Sequence, residues 1–160
     1  MKTPRCVVRL PFALAALVVL VVGSTSAQET KKSLYQRLGG YDAIAAVVDD
    51  FVPRLVNDPT LAKFFAGHGD NSKKKIRQLV VDQLCEATGG PCVYTGRTMK
   101  VAHAGIAITE ENWNASVKHL VAAIDKFKVP QKEKDEMLAI VSTLKADIVA
   151  SPAGMDMMKK

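Results

Sequence analysis

With 160 residues, 48 % of them apolar, the chain has enough material for one domain with a real core and too little for two comfortable ones. Its formal net charge is +6, from 22 basic and 16 acidic residues. Three of the bases, Lys2, Arg5 and Arg9, belong to an N-terminal segment that reads as removable. Without them the charge is +3, which gives no support for a nucleic-acid partner.

Residues 1–27 read as a secretory signal: a basic start, an uncharged apolar run over 10–22, then small residues that put Thr25 and Ala27 at the −3 and −1 positions before Gln28. The run is short for a membrane span. The mature chain is therefore expected in the periplasm, with no stable membrane insertion after cleavage. Of three cysteines, Cys6 leaves with the signal, while Cys85 and Cys92 remain in an oxidising compartment on either side of Gly89-Gly90-Pro91. A disulfide closing that small loop and two separate thiols both fit the spacing.

From Ser33 onward the pattern is helix after helix. Ser33 reads as an N-cap before a short helix from Leu34 that Gly39-Gly40 stops. Asp42 is placed to cap the next helix, whose stripe of Ile44, Val47, Val48, Phe51, Val52 and Leu55 recurs at three-to-four spacing. Pro53 should bend or restart that helix, and Asn57-Asp58-Pro59 ends it. A brief turn follows with Phe64 and Phe65, expected to point to different sides, and then a polar loop through His68. Asn71 or Ser72 caps a helix that carries Ile76, Leu79, Val80, Gln83 and Leu84 up to Gly89. Its basic run, Lys73-Lys74-Lys75 and Arg77, reads as a solvated face. Thr109 caps the next helix, with Glu110 and Glu111 in its first turn and Asn112 in place of the Glu or Gln of a full capping box. That helix carries the stripe Trp113, Val117, Leu120, Val121, Ile124 and Phe127. After Val129-Pro130 a last helix runs from Met137 through Leu144 to Val149. Residues 28–150 thus form one helical domain and 151–160 a polar tail. No alternating strand pattern and no fixed-period repeat are present, so the fold class is all-α.

The chain lacks HExxH, paired CxxC, GxSxG and CxxCH signatures. Zinc- and serine-hydrolase readings have no support, and any haem would be held without thioether bonds. His68 sits in a Gly-flanked polar loop and reads as solvated. His119 lies far round its helix from the Trp113 stripe and reads as an exposed or half-exposed surface residue. His103 differs, because Met99 precedes it by one turn, Ile106 and Ile108 follow it, and Gly105 can end the turn behind it.

Five blocks, LYQRLGG (34–40), DDF with its DP turn (49–59), FF (64–65), GGPCVYTGRTM (89–99) and AHAGIAIT (102–109), resemble in order and spacing the truncated haemoglobins, closest to their first group. The resemblance implies a two-over-two helical sandwich around one b-type haem, with His103 as proximal iron ligand. It also implies Phe65 packed on the porphyrin, Met99 on its proximal face, and Tyr94 and Arg97 near the propionates. A neutral imidazole whose other nitrogen donates to a carbonyl one turn earlier suits the ligand role.

The distal side departs from the family's usual pattern. Val52 follows Phe51 where many members carry a tyrosine, and Ile76 and Val80 stand where distal polar residues are often found. Gln83 lies one turn beyond Val80, and Gln78 becomes a candidate only in a shifted register. Such a pocket offers bound oxygen little hydrogen bonding, so fast oxygen release is expected, with a relative preference for nitric oxide or carbon monoxide. Reversible binding of diatomic gases is the leading expectation, with no catalytic residue assigned. The alternative is nitric oxide dioxygenation to nitrate, served by an external reductase.

Overall fold

The computed structural model describes residues 31–150; the expected signal over 1–27 and tail over 151–160 lie outside the described residues. Among the described residues the chain is helical throughout, without strands. No helix among them is long and apolar enough to cross a membrane.

Helix α1 (Leu34–Leu38) begins with a full capping box: Ser33 Oγ accepts from Gln36 N at 3.2 Å, and Gln36 Oε1 accepts from Ser33 N at 3.1 Å. Gly39, at φ 101°, ends α1 and is also the N-cap residue of α2 (Gly40–Asn57). Only glycine adopts that backbone freely, so two helices meet at a single residue. Asp42, expected as the cap, lies instead in the first turn of α2, where its charge suits the helix dipole.

Helix α2 runs unbroken through Pro53, without the restart that was one of the two expected outcomes. A proline inside a helix costs about 3 kcal/mol. Six side chains of α2 are buried, Val48 completely, and each contributes about 1.5–3 kcal/mol if large, so packing outweighs the lost hydrogen bond. The helix packs against both α3 (Asp70–Ala87) and α5 (Glu110–Lys126). The large, fully buried side chains, Val48, Val81, Cys85 and Ile124, all come from these three helices.

Between α2 and α3 a 3-10 turn covers Ala62–Phe65. The N-cap of α3 is Gly69, so Asn71 and Ser72 fall inside its first turn rather than capping it. Arg77 in the basic run is paired, its Nε and Nη2 donating to Asp49 at 2.7 and 2.8 Å. The short α4 (Met99–His103) precedes α5. Thr109 caps α5 in a complete box, because Asn112 Oδ1 accepts from Thr109 N at 3.1 Å and Asn112 N donates to Thr109 Oγ1 at 3.3 Å. An asparagine thus does what the sequence reading reserved for Glu or Gln.

The expected last helix is two, α6 (Gln131–Ser142) and α7 (Lys145–Ile148). At the break Ser142 and Thr143 turn their hydroxyls onto the carbonyls of Ala139 and Ile140, both at 2.7 Å. Side chains that satisfy the local carbonyls weaken the case for continuing the helix. The break lets α7 turn to pack on α4. Arg37 ties α1 to α6 through Glu133 at 3.0 Å and through Glu136.

His119 is half-buried and bonded to Asp58 Oδ2 at 2.7 Å, so it is a tie between α5 and the turn after α2 rather than a free surface residue. Asp58 Oδ1 also accepts from Thr60 Oγ1 at 2.6 Å and Thr60 N at 2.7 Å. The Thr60 hydroxyl, then the His119 ring, then the Thr60 amide hold the Asp58 carboxyl well below its ordinary value of 3.8. A carboxylate depressed on folding stabilises the fold fully above that ordinary value and loses its contribution as pH falls toward the folded-state value. Asp58→Asn should therefore lower stability at neutral pH, and its deficit against the parent should shrink in acid. Urea midpoints at about pH 6 and about pH 2.5 test this; a deficit that is constant with pH would refute the role given to Asp58.

Candidate functional site: an apolar cavity faced by His103

Helices α2 to α7 and the 3-10 turn line a cavity of about 460 Å3, within the range of cofactor sites. One wall is α3, presenting Ile76, Leu79, Val80 and Gln83. The opposite wall is α4 with the arm before it, presenting Tyr94, Arg97, Met99, Ala102 and His103. Phe51 and Leu55 of α2, Phe64 and Phe65, Trp113 and Val117 of α5, and Leu144 and Ile148 complete it.

The position of His103 follows from local rules. Thr98 Oγ1 accepts from Val101 N at 3.4 Å and starts α4. Met99, Ala102 and His103 then share a face at three-to-four spacing, and that face meets the cavity while Val101 is exposed. His103 Nδ1 lies 2.9 Å from Met99 O. A carbonyl can only accept, so Nδ1 carries the proton and Nε2 carries the lone pair. The imidazole is oriented and its second nitrogen is available.

The arm from Gly89 to Thr98 has its own logic. Cys85 and Cys92 form a disulfide, with Cα atoms 5.7 Å apart, which settles the alternative the spacing left open. A Cβ on Gly90 would lie 2.5 Å from the Tyr35 ring and 2.7 Å from Cys85 Sγ, so only glycine fits beside the bridge. Tyr94 folds back and donates to Arg97 O at 2.7 Å, its ring lying over Gly96. Burial pushes the Tyr94 phenol up, against a smaller downward pull from Arg97, so it stays a protonated donor.

A Cβ at Gly96 would stand 2.3 Å from Tyr94 Cζ and Oη. Gly96→Ala should thus expel the phenol and cost about 1–3 kcal/mol. In a Tyr94→Ala background the same change should cost almost nothing. Urea melts of the four proteins form the cycle, and a cost that persists without the ring would refute the packing account.

Of the residues singled out in the sequence, the cavity gathers His103, Phe65, Met99, Tyr94, Arg97, Ile76, Val80 and Gln83. Val52 is not among its walls; it is buried in the core between the helices, and Phe51 and Leu55 face the cavity in its place. Gln78 is turned away, its amide donating to Tyr41 Oη at 2.9 Å and Asp82 Oδ1 at 2.8 Å. Phe64 and Phe65 both border the cavity, and Lys63 Nζ lies over the Phe64 ring at 4.9 Å. His68 is exposed as expected, yet it lies on the cavity rim.

A lone imidazole among apolar side chains is a poor site for a bare metal ion, and no cluster of three His, Cys, Asp or Glu occurs among the described residues. It suits a prosthetic group that brings its own equatorial ligands and a large apolar surface. Phe65 and Met99 offer packing, while the exposed Arg97 offers a forked donor for carboxylates.

Comparison with known proteins gives the family. The model of the bacterial-like globin family matches residues 33–150, and the chain belongs to that family. Its relatives are group 1 truncated haemoglobins. The GlbN protein of Mycolicibacterium paratuberculosis is 34 % identical over 122 residues, covering 76 % of this chain and 88 % of the relative. The LI410 protein of Chlamydomonas moewusii is 30 % identical over 150 residues, covering 91 % and 83 %. Among solved structures, the 2/2 haemoglobin of Synechococcus sp. PCC 7002, in the cyanomet state with covalently attached haem, aligns with a TM-score of 0.67 at 27 % identity. That alignment covers 74 % of this chain and 98 % of that one. The truncated haemoglobin of Tetrahymena pyriformis superposes with a TM-score of 0.69 at 23 % identity over 75 % of this chain, a likeness of fold. The architecture is the two-over-two helical sandwich, and the family is one of haem-binding globins.

Proposed function

We propose that the chain holds one b-type haem through His103 Nε2 and reversibly binds diatomic gases, oxygen, nitric oxide or carbon monoxide, on the face opposite that histidine. The carrying observation is the bond from His103 Nδ1 to Met99 O in a residue that lines a cavity of about 460 Å3; in the neutral ring that bond leaves the Nε2 lone pair for a ligand role. When bound, haem would supply an iron able to take a diatomic gas. The protein supplies orientation and exclusion of water. Phe65 and Met99 would pack on the ring, the Arg97 guanidinium would receive its carboxylates at the rim beside the Tyr94 ring, and Ile76, Leu79 and Val80 would keep the gas side dry.

The alternative, nitric oxide dioxygenation, needs oxygen held firmly and an external electron-donating reductase. The aliphatic α3 wall does not favour it. Export to the periplasm by the segment over 1–27, with no lasting membrane insertion, is part of the same reading and is supported by the disulfide, a bond of oxidising compartments.

Titration of purified protein with haem tests the core of the proposal. A Soret band saturating at one haem per chain, and a shift of that band on adding carbon monoxide to the ferrous form, are expected. A protein that takes up no haem overturns it.

A further inference from the structure

We infer that Cys92 Sγ is the site where a dithiol reductant opens the Cys85–Cys92 bridge, and that this opening loosens the arm bearing His103 and releases the haem. The inference rests on the haem reading above. The bridge joins the two faces of the cavity: Cys85 follows Gln83 on α3, and Cys92 precedes Tyr94 on the arm. Between Pro91 and Arg97 no peptide group enters a backbone–backbone hydrogen bond among the described residues. The arm is therefore held by the bridge at one end, by the Tyr94–Arg97 contact in its middle, and by α4 against α7 at the other end. Removing the first tie leaves α4, which carries the proximal ligand, at the end of an arm with little local structure of its own.

The two sulfurs are not equivalent. Cys85 is completely buried, whereas Cys92 is half-buried between the exposed Pro91 and the 69 % exposed Val93. An incoming thiolate reaches Cys92 Sγ, forms a mixed disulfide there, and breaks the bond to Cys85, which leaves as a thiolate and takes a proton. The reductant's second thiol then attacks its own bound sulfur, releasing Cys92 as a thiol and the reductant as a disulfide. Two electrons and two protons pass to the protein. A monothiol would be displaced by the nearby Cys85, so a dithiol is the chemical class that completes the reaction.

Haem-loaded protein, oxidised or reduced with dithiothreitol and desalted without air, would be mixed with excess of a haem-scavenging apoprotein, and loss of haem followed by absorbance. Reduction should speed transfer at least tenfold. The Cys85→Ser/Cys92→Ser protein should match the reduced parent and ignore dithiothreitol. Acid-quenched reaction with a monothiol should place the adduct on Cys92. Equal transfer rates before and after reduction, or an adduct on Cys85, would overturn the inference. Should the double variant fail to fold, the parent with and without reductant, checked by circular dichroism, decides it alone. An oxidised protein with no Soret band defeats the haem reading instead, whereas a Soret band with redox-indifferent transfer defeats only this inference.

Discussion

His103→Ala is expected to abolish the Soret signature of a histidine-ligated haem and weaken haem retention by at least about a hundredfold, since losing even an outer-shell partner of a metal ligand costs 10- to 100-fold. The fold should survive. His103 is only half-buried, on the five-residue α4, and its single hydrogen bond is to a carbonyl within its own turn. Apoprotein helicity should therefore be unchanged while haem binding collapses. Removing the side chain also leaves a space the size of an imidazole beside Met99 and Ala102. Free imidazole should enter it and restore the parent spectrum, an outcome that a merely structural histidine would not produce. Unaltered haem uptake by His103→Ala would end its assignment as the ligand.

That assignment comes from the five blocks that resemble the truncated haemoglobins; the local pattern, Met99 one turn ahead and Gly105 behind, marks His103 only as a histidine on an apolar face, and in the structure it lines the cavity with Nδ1 2.9 Å from Met99 O. The far walls were less legible. Trp113 and Val117 form a stripe at helical spacing, and such a stripe reads the same whether it faces another helix or a cofactor; here it faces the cavity. Asn112 and Ser116 border the cavity too, with no periodic signal to single them out. Val52 shows the opposite error. Position-by-position matching put it on the gas side, but Val48 and Val52, four residues apart, face the core, and the other pair at that spacing, Phe51 and Leu55, faces the cavity. One residue of helix is about 100° of rotation, enough to exchange the two roles. The tie between His119 and Asp58 spans 61 positions, and no local pattern announces so distant a partner.

Oxygen release is where the α3 wall makes its largest difference, and Val80→Gln is expected to slow it about ten- to hundredfold. The native wall offers four aliphatic side chains, Ile76, Leu79, Val80 and Leu84, and one amide, that of Gln83. An added donor in a desolvated pocket contributes about 1–3 kcal/mol to a partner carrying negative charge, and 1.4 kcal/mol is a factor of ten in affinity. Oxygen draws charge from iron and feels the donor; carbon monoxide draws little, so its release should change much less. Stopped-flow displacement of each gas from parent and variant measures the two rates. The Gln83→Leu variant then separates the remaining possibilities. Unchanged oxygen release in Gln83→Leu together with slowed release in Val80→Gln means that the native gas side is functionally apolar. Faster release in Gln83→Leu means that this amide already reaches the ligand. The parent would then hold oxygen better than its aliphatic wall implies, and nitric oxide dioxygenation would regain support. Oxygen release unaltered by Val80→Gln would mean that the gas does not sit against α3.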